Sequence, residues 1–238
     1  MARDEALLSV GKVPTLRFFS WDRPTLSLGK HQKEDELDFS FLERAGIPLV
    51  RRPTGGRAIL HGDEVTFSFF LPRGEVPHPH RLLYDIVREV LRKAFADLGL
   101  KVDSSVSGVS FLGSPACFSL ALPHEVAVLG KKVAGIAQAR TIRGNLFEGS
   151  IPFSIDRLSF ASCFREKERI YRELEERSAG LRELRADLTR EELMERMVIR
   201  FGELFEGVHF GTWEKEELLR AQELLGEKYV PSSHHPGQ

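Results

Sequence analysis

Residues 51–71 read RRPTGGRAILHGDEVTFSFFL. Ahead of them, Ile47–Arg52 is an apolar run that predicts a strand, and Pro53-Thr54-Gly55-Gly56 breaks it. Ala58–His61 and Glu64–Leu71 then predict a pair of strands around a Gly62-Asp63 turn. In the second of these, Val65, Phe67, Phe69 and Leu71 alternate, which is the period of a half-buried strand.

Upstream, Ala2–Val10 predicts a short helix with Ala6, Leu7 and Val10 on one face. Leu16–Trp21 and Thr25–Gly29 are short runs split by Asp22-Arg23-Pro24 and predict strands; Ser40–Ala45 suits a brief helix stopped by Gly46. Downstream, Arg81–Leu98 carries Leu83, Ile86, Val87, Val90, Leu91, Ala94, Phe95 and Leu98 at helical spacing. Asp103–Pro115 is rich in Ser and Gly and predicts a long loop. Glu125–Leu129 and Lys132–Ala139 predict two strands joined at Gly130-Lys131, and Leu146–Ile155 a further one. After Asp156 charges become dense. Helices are predicted over Arg165–Arg177, after a Thr189-x-x-Glu192 capping box with Leu193, Met197, Ile199 and Phe201 inward, and over Trp213–Glu227 with Thr212 as N-cap. The tail Pro231–Gln238 reads as loose. Strands with interspersed helices, then helices alone, predict an α+β fold in one domain, with a sheet-rich core over about 1–156 and a helical segment over about 157–238.

The 238 residues carry 34 Lys and Arg against 35 Asp and Glu, are 42% apolar, and include two Cys. That balance excludes a disordered chain and offers no basic excess for nucleic acid. Two cysteines exclude a disulfide scaffold and suit a reducing cytosol. MARDEALLSV lacks the apolar centre of a signal peptide, and Val102–Pro123 is too polar and too broken for a membrane span, so a soluble cytoplasmic protein is expected.

Several residues could carry chemistry. Gly55 and Gly56 let backbone approach a ligand, and the flanking arginines could bind carboxylate or phosphate; a hairpin turn with a solvated basic rim fits equally. Lys132 opens an otherwise apolar strand, where an ammonium could stabilise an oxyanion or, desolvated, act as a base. The exposed-turn alternative suits Lys131 better. Gly135 within a strand suggests close approach by a ligand. Cys117 ends the long loop and is either a nucleophile or a buried packing residue; Cys163 reads as packing. His61 is either a pocket acid or base or a hydrogen-bonded strand end. His78, His80, His124, His234 and His235 lie in loops or the tail and make no metal pattern.

These pieces together resemble the lipoate–protein ligase, octanoyltransferase and biotin–protein ligase group. The resemblance rests on Asp4-Glu5-Ala6-Leu7-Leu8, on Trp21 with Pro24–Gly29, on RRPTGGRAILH at Arg51–His61, on Glu64–Ser68, on Cys117-Phe118, on KKVAGIAQAR at Lys131–Arg140 and on AQELLGEKY at Ala221–Tyr229. It implies a mixed, largely antiparallel sheet with surrounding helices, and attachment of an acyl cofactor to a carrier-domain lysine. The ATP-dependent ligases of the group place an Arg-Asn-Asp-like triplet where this chain has Ala116-Cys117-Phe118. A Cys-Phe pair there is similar to the octanoyl-acyl-carrier-protein transferases of the LipM type. Ligases often carry a further C-terminal domain, for which little room is expected here. Where the group has a QHGSI-like run, this chain has Phe147-Glu148-Gly149-Ser150-Ile151, so Glu148 stands in place of a histidine; Gly62 also precedes Asp63 where the group runs His-Asp directly.

The resemblance implies Cys117 as the acyl carrier and Lys132 as its catalytic partner, with Arg52, Thr54, Gly55, Gly56, Arg57, His61, Gly135 and Ala137 in the substrate-binding set. It further implies acyl carrier protein as donor and a glycine-cleavage H protein or an E2 lipoyl domain as acceptor, and no cofactor. Burying about seven methylene or methyl groups at roughly 0.8 kcal/mol each would favour a medium chain by about 5–6 kcal/mol. An amidotransferase moving octanoyl between carriers uses the same logic. The alternatives are an ATP-dependent lipoate ligase using ATP and Mg, with Cys117 incidental, and a family member that binds lipoate or octanoate without turnover.

Overall fold

The computed structural model describes residues 1–75, 82–103, 114–119, 126–205 and 207–229. Most of the expected 103–115 loop, the five loop and tail histidines, Glu125 and the 231–238 tail lie outside these residues.

The chain opens with α1 (Ala2–Val10), β1 (Thr15–Phe19) and β2 (Thr25–Leu28), followed by α2 (Phe39–Arg44), β3 (Leu49–Arg51), β4 (Ile59–His61) and β5 (Glu64–Pro72). After α3 (Leu83–Asp97) come β6 (Val126–Val128), β7 (Lys131–Arg140) and β8 (Gly144–Pro152). From Arg157 onward the described chain is helical: α4 (Arg157–Ser162), α5 (Lys167–Arg177), α6 (Leu181–Leu184), α7 (Arg190–Gly202) and α8 (Lys215–Leu224), with a closing π turn over Leu225–Tyr229. The strands form two sheets. The larger runs β1-β5-β8-β7-β6, every pair antiparallel, and the smaller runs β3-β2-β4, with β2 parallel to β3 and antiparallel to β4. This is the expected mixed, largely antiparallel α+β fold.

The two faces of the larger sheet differ in chemistry, because side chains alternate along each strand. Phe67 and Phe69 of β5 and Phe147 and Ile151 of β8 point to one side, where α3 covers them with Val87, Leu91 and Phe95 and α7 with Leu193, Met197 and Phe201. Each such side chain, fully buried, contributes roughly 1.5–3 kcal/mol. The other side carries Thr66, Ser68, Glu148, Ser150, Gly135 and Ala137, with register pairs Ser68↔Glu148, Thr66↔Ser150, Gly135↔Ser150 and Ala137↔Glu148. The smaller sheet packs over this polar face, and Leu26, Leu28, Ile59, Phe160, Phe164 and Leu174 form a second core behind it.

Several expectations need correction. β5 is buried on both faces, not half-buried, since the polar face of its sheet is itself covered. Ile199 is 44% exposed because it sits two residues, more than half a turn, from the inward Met197. α8 begins at Lys215, capped by Glu214 and Glu217 rather than by Thr212. α4 and α6 were not expected; Asp156 caps α4 by accepting from the Ser159 N–H. The Thr189–Glu192 capping box is present on α7. Gly46, at φ +62°, follows α2 as its C′ residue. Among the described residues no helix is long and apolar enough to cross a membrane.

Candidate active site

Cys117 is held from two sides. Its N–H donates to the Ala58 carbonyl at 2.8 Å and the Ala58 N–H donates to Pro115 at 3.0 Å, so the cysteine segment docks alongside the entry to β4. Gln32 adds a bond to the Pro115 carbonyl at 2.9 Å. The 3-10 turn Cys117–Ser119 is tied to α5 through Arg177, which donates to the Ser119 carbonyl at 3.1 Å, and through Glu173, which accepts from Ser114 at 2.7 Å.

Lys132 reaches this cysteine because β7 is bulged. Val126 pairs with Ala134 but Ala127 pairs with Lys132, so one extra residue, Val133, is inserted. Strict alternation would give Lys132 the face of Ala134; the bulge re-aims it. The side chain is 1% exposed, and Nζ lies 3.3 Å from Cys117 Sγ and 3.0 Å from the Cys117 carbonyl oxygen. The ammonium also sits 5.5 Å from the centre of the Phe118 ring. A cation so placed stabilises negative charge on the sulfur or on an oxygen bound next to it. Lys131 is the turn residue, bonded to the Glu175 carbonyl at 3.0 Å. Cys163 is buried, and burial with Asp156 and Asp38 pushes its thiol up to about 12, which keeps it protonated and inert.

A pocket opens in front of the sulfur, lined by Met1, Phe19, Arg52, Gly56, Ile59, His61, Thr66, Cys117, Gly135, Ile136, Ala137, Glu148, Gly149 and Ser150. Its floor at Gly135 and Ala137 is shallow; a β-carbon added at Gly135 would lie 3.5 Å from Cys117 Sγ. Of the residues singled out in sequence, Cys117, Arg52, Gly56, His61, Gly135 and Ala137 meet at this pocket, with Lys132 behind the sulfur. Thr54, Gly55 and Arg57 do not line it. Thr54 is buried and donates to Glu148 Oε2, while Gly55 and Arg57 offer their carbonyls to Arg52 Nη2 at 2.7 and 2.8 Å. Arg52 also donates to the Ser27 carbonyl and hydroxyl. Its fork is therefore occupied by the protein and does not serve as a phosphate clamp, which corrects one sequence expectation. Gly56 adopts φ +89°, and a β-carbon at Gly29 would lie 2.0 Å from the Gly56 carbonyl, so the double-glycine turn packs directly on the end of β2.

His61 is fixed on every side. Nδ1 is 2.6 Å from Glu64 Oε1, Nε2 is 2.7 Å from Ser27 Oγ, and Trp21 stacks on the ring at 4.2 Å. Glu64 also accepts from Ser150 at 2.6 Å and from Thr66. Burial alone would raise Glu64, but His61 and these hydrogen bonds hold it below the usual carboxylate range. With ionised Glu64 accepting at Nδ1, the Nε2 lone pair faces the Ser27 hydroxyl. Sequence reading missed Glu64, Ser27 and Ser150. The available signal was the run Glu64, Thr66, Ser68, polar at every second position of a strand otherwise made of Phe, Val and Leu. Glu148 is the contrasting acid: burial, then the charge of Asp4, pushes it up to about 7, against the opposing Thr54 hydrogen bond and the charge of Arg52.

Residues 1–202 match the model of the lipoyl protein ligase A/B catalytic domain. The chain belongs to that family. Among curated members, the octanoyltransferase LipM of Exiguobacterium sibiricum is 40% identical over 195 residues, covering 76% of this chain and 71% of that protein. The octanoyltransferase LipM of Carboxydothermus hydrogenoformans is 35% identical over 96% of this chain and 90% of its own length. Among solved structures, the bipartite lipoate protein ligase of Thermoplasma acidophilum superimposes with a TM-score of 0.79 over 96% of this chain and 87% of that one, at 23% identity. A lipoate-protein ligase A bound with ATP gives the same TM-score and identity. At that identity the likeness is one of fold.

Proposed function

We propose that this enzyme, an octanoyltransferase like the LipM relatives it matches along most of its length, moves octanoyl through a thioester on Cys117. The observation that carries the reading is the Cys117–Lys132 pair, 3.3 Å apart at the head of a pocket with a largely apolar floor.

The Cys117 thiolate attacks the thioester carbonyl of an octanoyl donor, acyl carrier protein by its chemistry. The carbonyl electron pair moves to oxygen, where Lys132 stabilises it, and then returns to expel the carrier thiolate. The new C–S bond leaves octanoyl on Cys117. The neutral ε-amine of a lysine on a lipoyl-carrier domain, a glycine-cleavage H protein or an E2 lipoyl domain, attacks this thioester. An amide C–N bond forms, the C–S bond breaks to return the Cys117 thiolate, and Lys132, neutral after giving its proton to the departing carrier thiolate, accepts the amine proton. Thioester exchange is nearly balanced and amide formation is downhill, so ATP has no step to drive. We place the reaction in the cytoplasm, where carrier proteins and reduced thiols coexist.

The test is octanoyl transfer from purified octanoyl-acyl carrier protein to a lipoyl-carrier protein without ATP. Wild type transfers and Cys117→Ala does not. Transfer by Cys117→Ala, or transfer of free octanoate only with ATP, would refute the thioester route.

A further inference from the structure

The pocket in front of Cys117 has a direction, set by strand register. Gly135 of β7 pairs with Ser150 of β8, Ser150 with Thr66 of β5, and Thr66 with Phe19 of β1. Directly paired residues share a face, so these four make one row across the sheet, and all four line the pocket. The sulfur stands at one end of the row: a β-carbon at Gly135 would lie 3.5 Å from Cys117 Sγ and 3.7 Å from Ile59 Cδ1. The roof follows the same course, from Ile59 to His61, whose stacking partner Trp21 donates to Thr66 Oγ1 at 3.1 Å. The hydroxyls of the row are already engaged, since Ser150 and Thr66 both donate to Glu64. Towards Ala137 the pocket is shut. A β-carbon at Gly56 would lie 3.9 Å from the Ala137 β-carbon, which leaves at most about 5.5 Å between turn and floor, where a methylene needs about 7–8 Å.

Phe19 closes the other end. Its strand is the edge of the sheet, so beyond the ring lies the surface. The Arg17 guanidinium sits 4.0 Å from the ring centre and in turn donates to both oxygens of buried Asp4, at 2.8 and 2.9 Å. Trp21 flanks the ring at 6.0 Å between centres. Three inter-strand spacings of about 4.8 Å separate Gly135 from Phe19, roughly 14–15 Å. An acyl chain advances roughly 1.3 Å per carbon, so the methyl of an octanoyl group on Sγ lies roughly 11 Å out, and van der Waals contact adds about 3.5–4 Å. The sum matches the distance to Phe19. Two further methylenes overrun it by about 2.6 Å.

We propose that Phe19 is the stop that sets chain length: the octanoyl chain on Cys117 runs across the sheet and ends against its ring. This rests on the Cys117 thioester reading for the end at which the chain is fixed. Phe19 is then a specificity residue, and the rigid Arg17–Asp4 pair behind it keeps the stop in place.

The test compares thioester donors carrying octanoyl and decanoyl chains, scored by kcat/KM for acylation of Cys117. Wild type prefers octanoyl at least tenfold. Phe19→Ala opens the edge of the sheet, and the decanoyl to octanoyl ratio rises roughly fifteenfold, the effect of burying two more methylenes. Phe19→Leu raises it less. A rise under fivefold in Phe19→Ala overturns the proposal; if that protein does not fold, a rise under twofold in Phe19→Leu does so. The same ratio is read at equilibrium from binding of octanoic and decanoic acids to Cys117→Ala, with and without the change at Phe19. If no donor acylates Cys117 but the affinity ratio still moves with Phe19, the thioester reading fails and the stop stands. If Cys117 is acylated but neither ratio moves, the stop fails and the thioester reading stands.

Discussion

Replacing Glu148 by Gln should raise stability in a strongly pH-dependent way. The side chain is 7% exposed, and its carboxyl is pushed from 4.5 to about 7 by burial and by the Asp4 charge. Below pH 4.5 it is neutral in both folded and unfolded chains and makes no pH-dependent contribution. Between 4.5 and 7 the folded chain binds more protons than the unfolded one, so stability falls as pH rises; above about 7 the loss is complete. At about 1.4 kcal/mol for each tenfold change in proton affinity, the full loss is roughly 3 kcal/mol. Gln keeps the shape and the acceptor for Thr54 but cannot ionise. The variant should therefore match wild type within about 1 kcal/mol at pH 5 and exceed it by roughly 3 kcal/mol at pH 8.5. At roughly 2–4 °C per kcal/mol for a chain of this size, that is a gain in Tm of about 6–12 °C. Thermal denaturation of both proteins across pH 5–8.5 reads it directly. A Tm difference that does not grow with pH, or that reverses sign, would show that Glu148 is ionised comfortably in the folded protein.

Two further outcomes follow from particular geometry. Leu129 adopts φ +53° in the turn joining β6 to β7 and is 82% exposed; Leu129→Asn, which tolerates that conformation, should stabilise by about 1 kcal/mol in urea denaturation with no change in transfer rate, and destabilisation would refute the strain. Lys132→Met keeps the stem but removes the ammonium beside Cys117, and should slow acylation of Cys117 roughly 10²–10³-fold, measured by single-turnover kinetics; a loss under threefold would remove Lys132 from the mechanism.

What sequence revealed and what it hid divide along a physical line. Elements fixed by local period were legible: the alternation in β5, the helical spacing in α3 and the capping box of α7 all appear where expected. So did the difference between Lys131 and Lys132, because an apolar strand has no other place for a charged first residue than a lined cavity. Features set by contacts distant in sequence were hidden. The β7 bulge that turns Lys132 onto Cys117 depends on pairing with β6. The anchoring of His61 by Ser27, Glu64 and Trp21 joins three segments. Arg52 looked like an anion-binding residue, yet the fold turns its fork inward onto Ser27, Gly55 and Arg57. Ile199 misled because two residues along a helix are more than half a turn, which sets it on the face away from Met197 and Phe201. The family resemblance, resting on RRPTGGRAILH and KKVAGIAQAR together, supplied the overall architecture that periodicity alone left open.

The most direct test of the central claim is the intact mass of the protein after mixing with octanoyl-acyl carrier protein in the absence of acceptor and ATP. A single octanoyl adduct should form, map to the peptide containing Cys117, be removed by neutral hydroxylamine as a thioester is, and disappear at the transfer rate when a lipoyl-carrier protein is added. An unmodified mass during active turnover, or an adduct on any other residue, would contradict it.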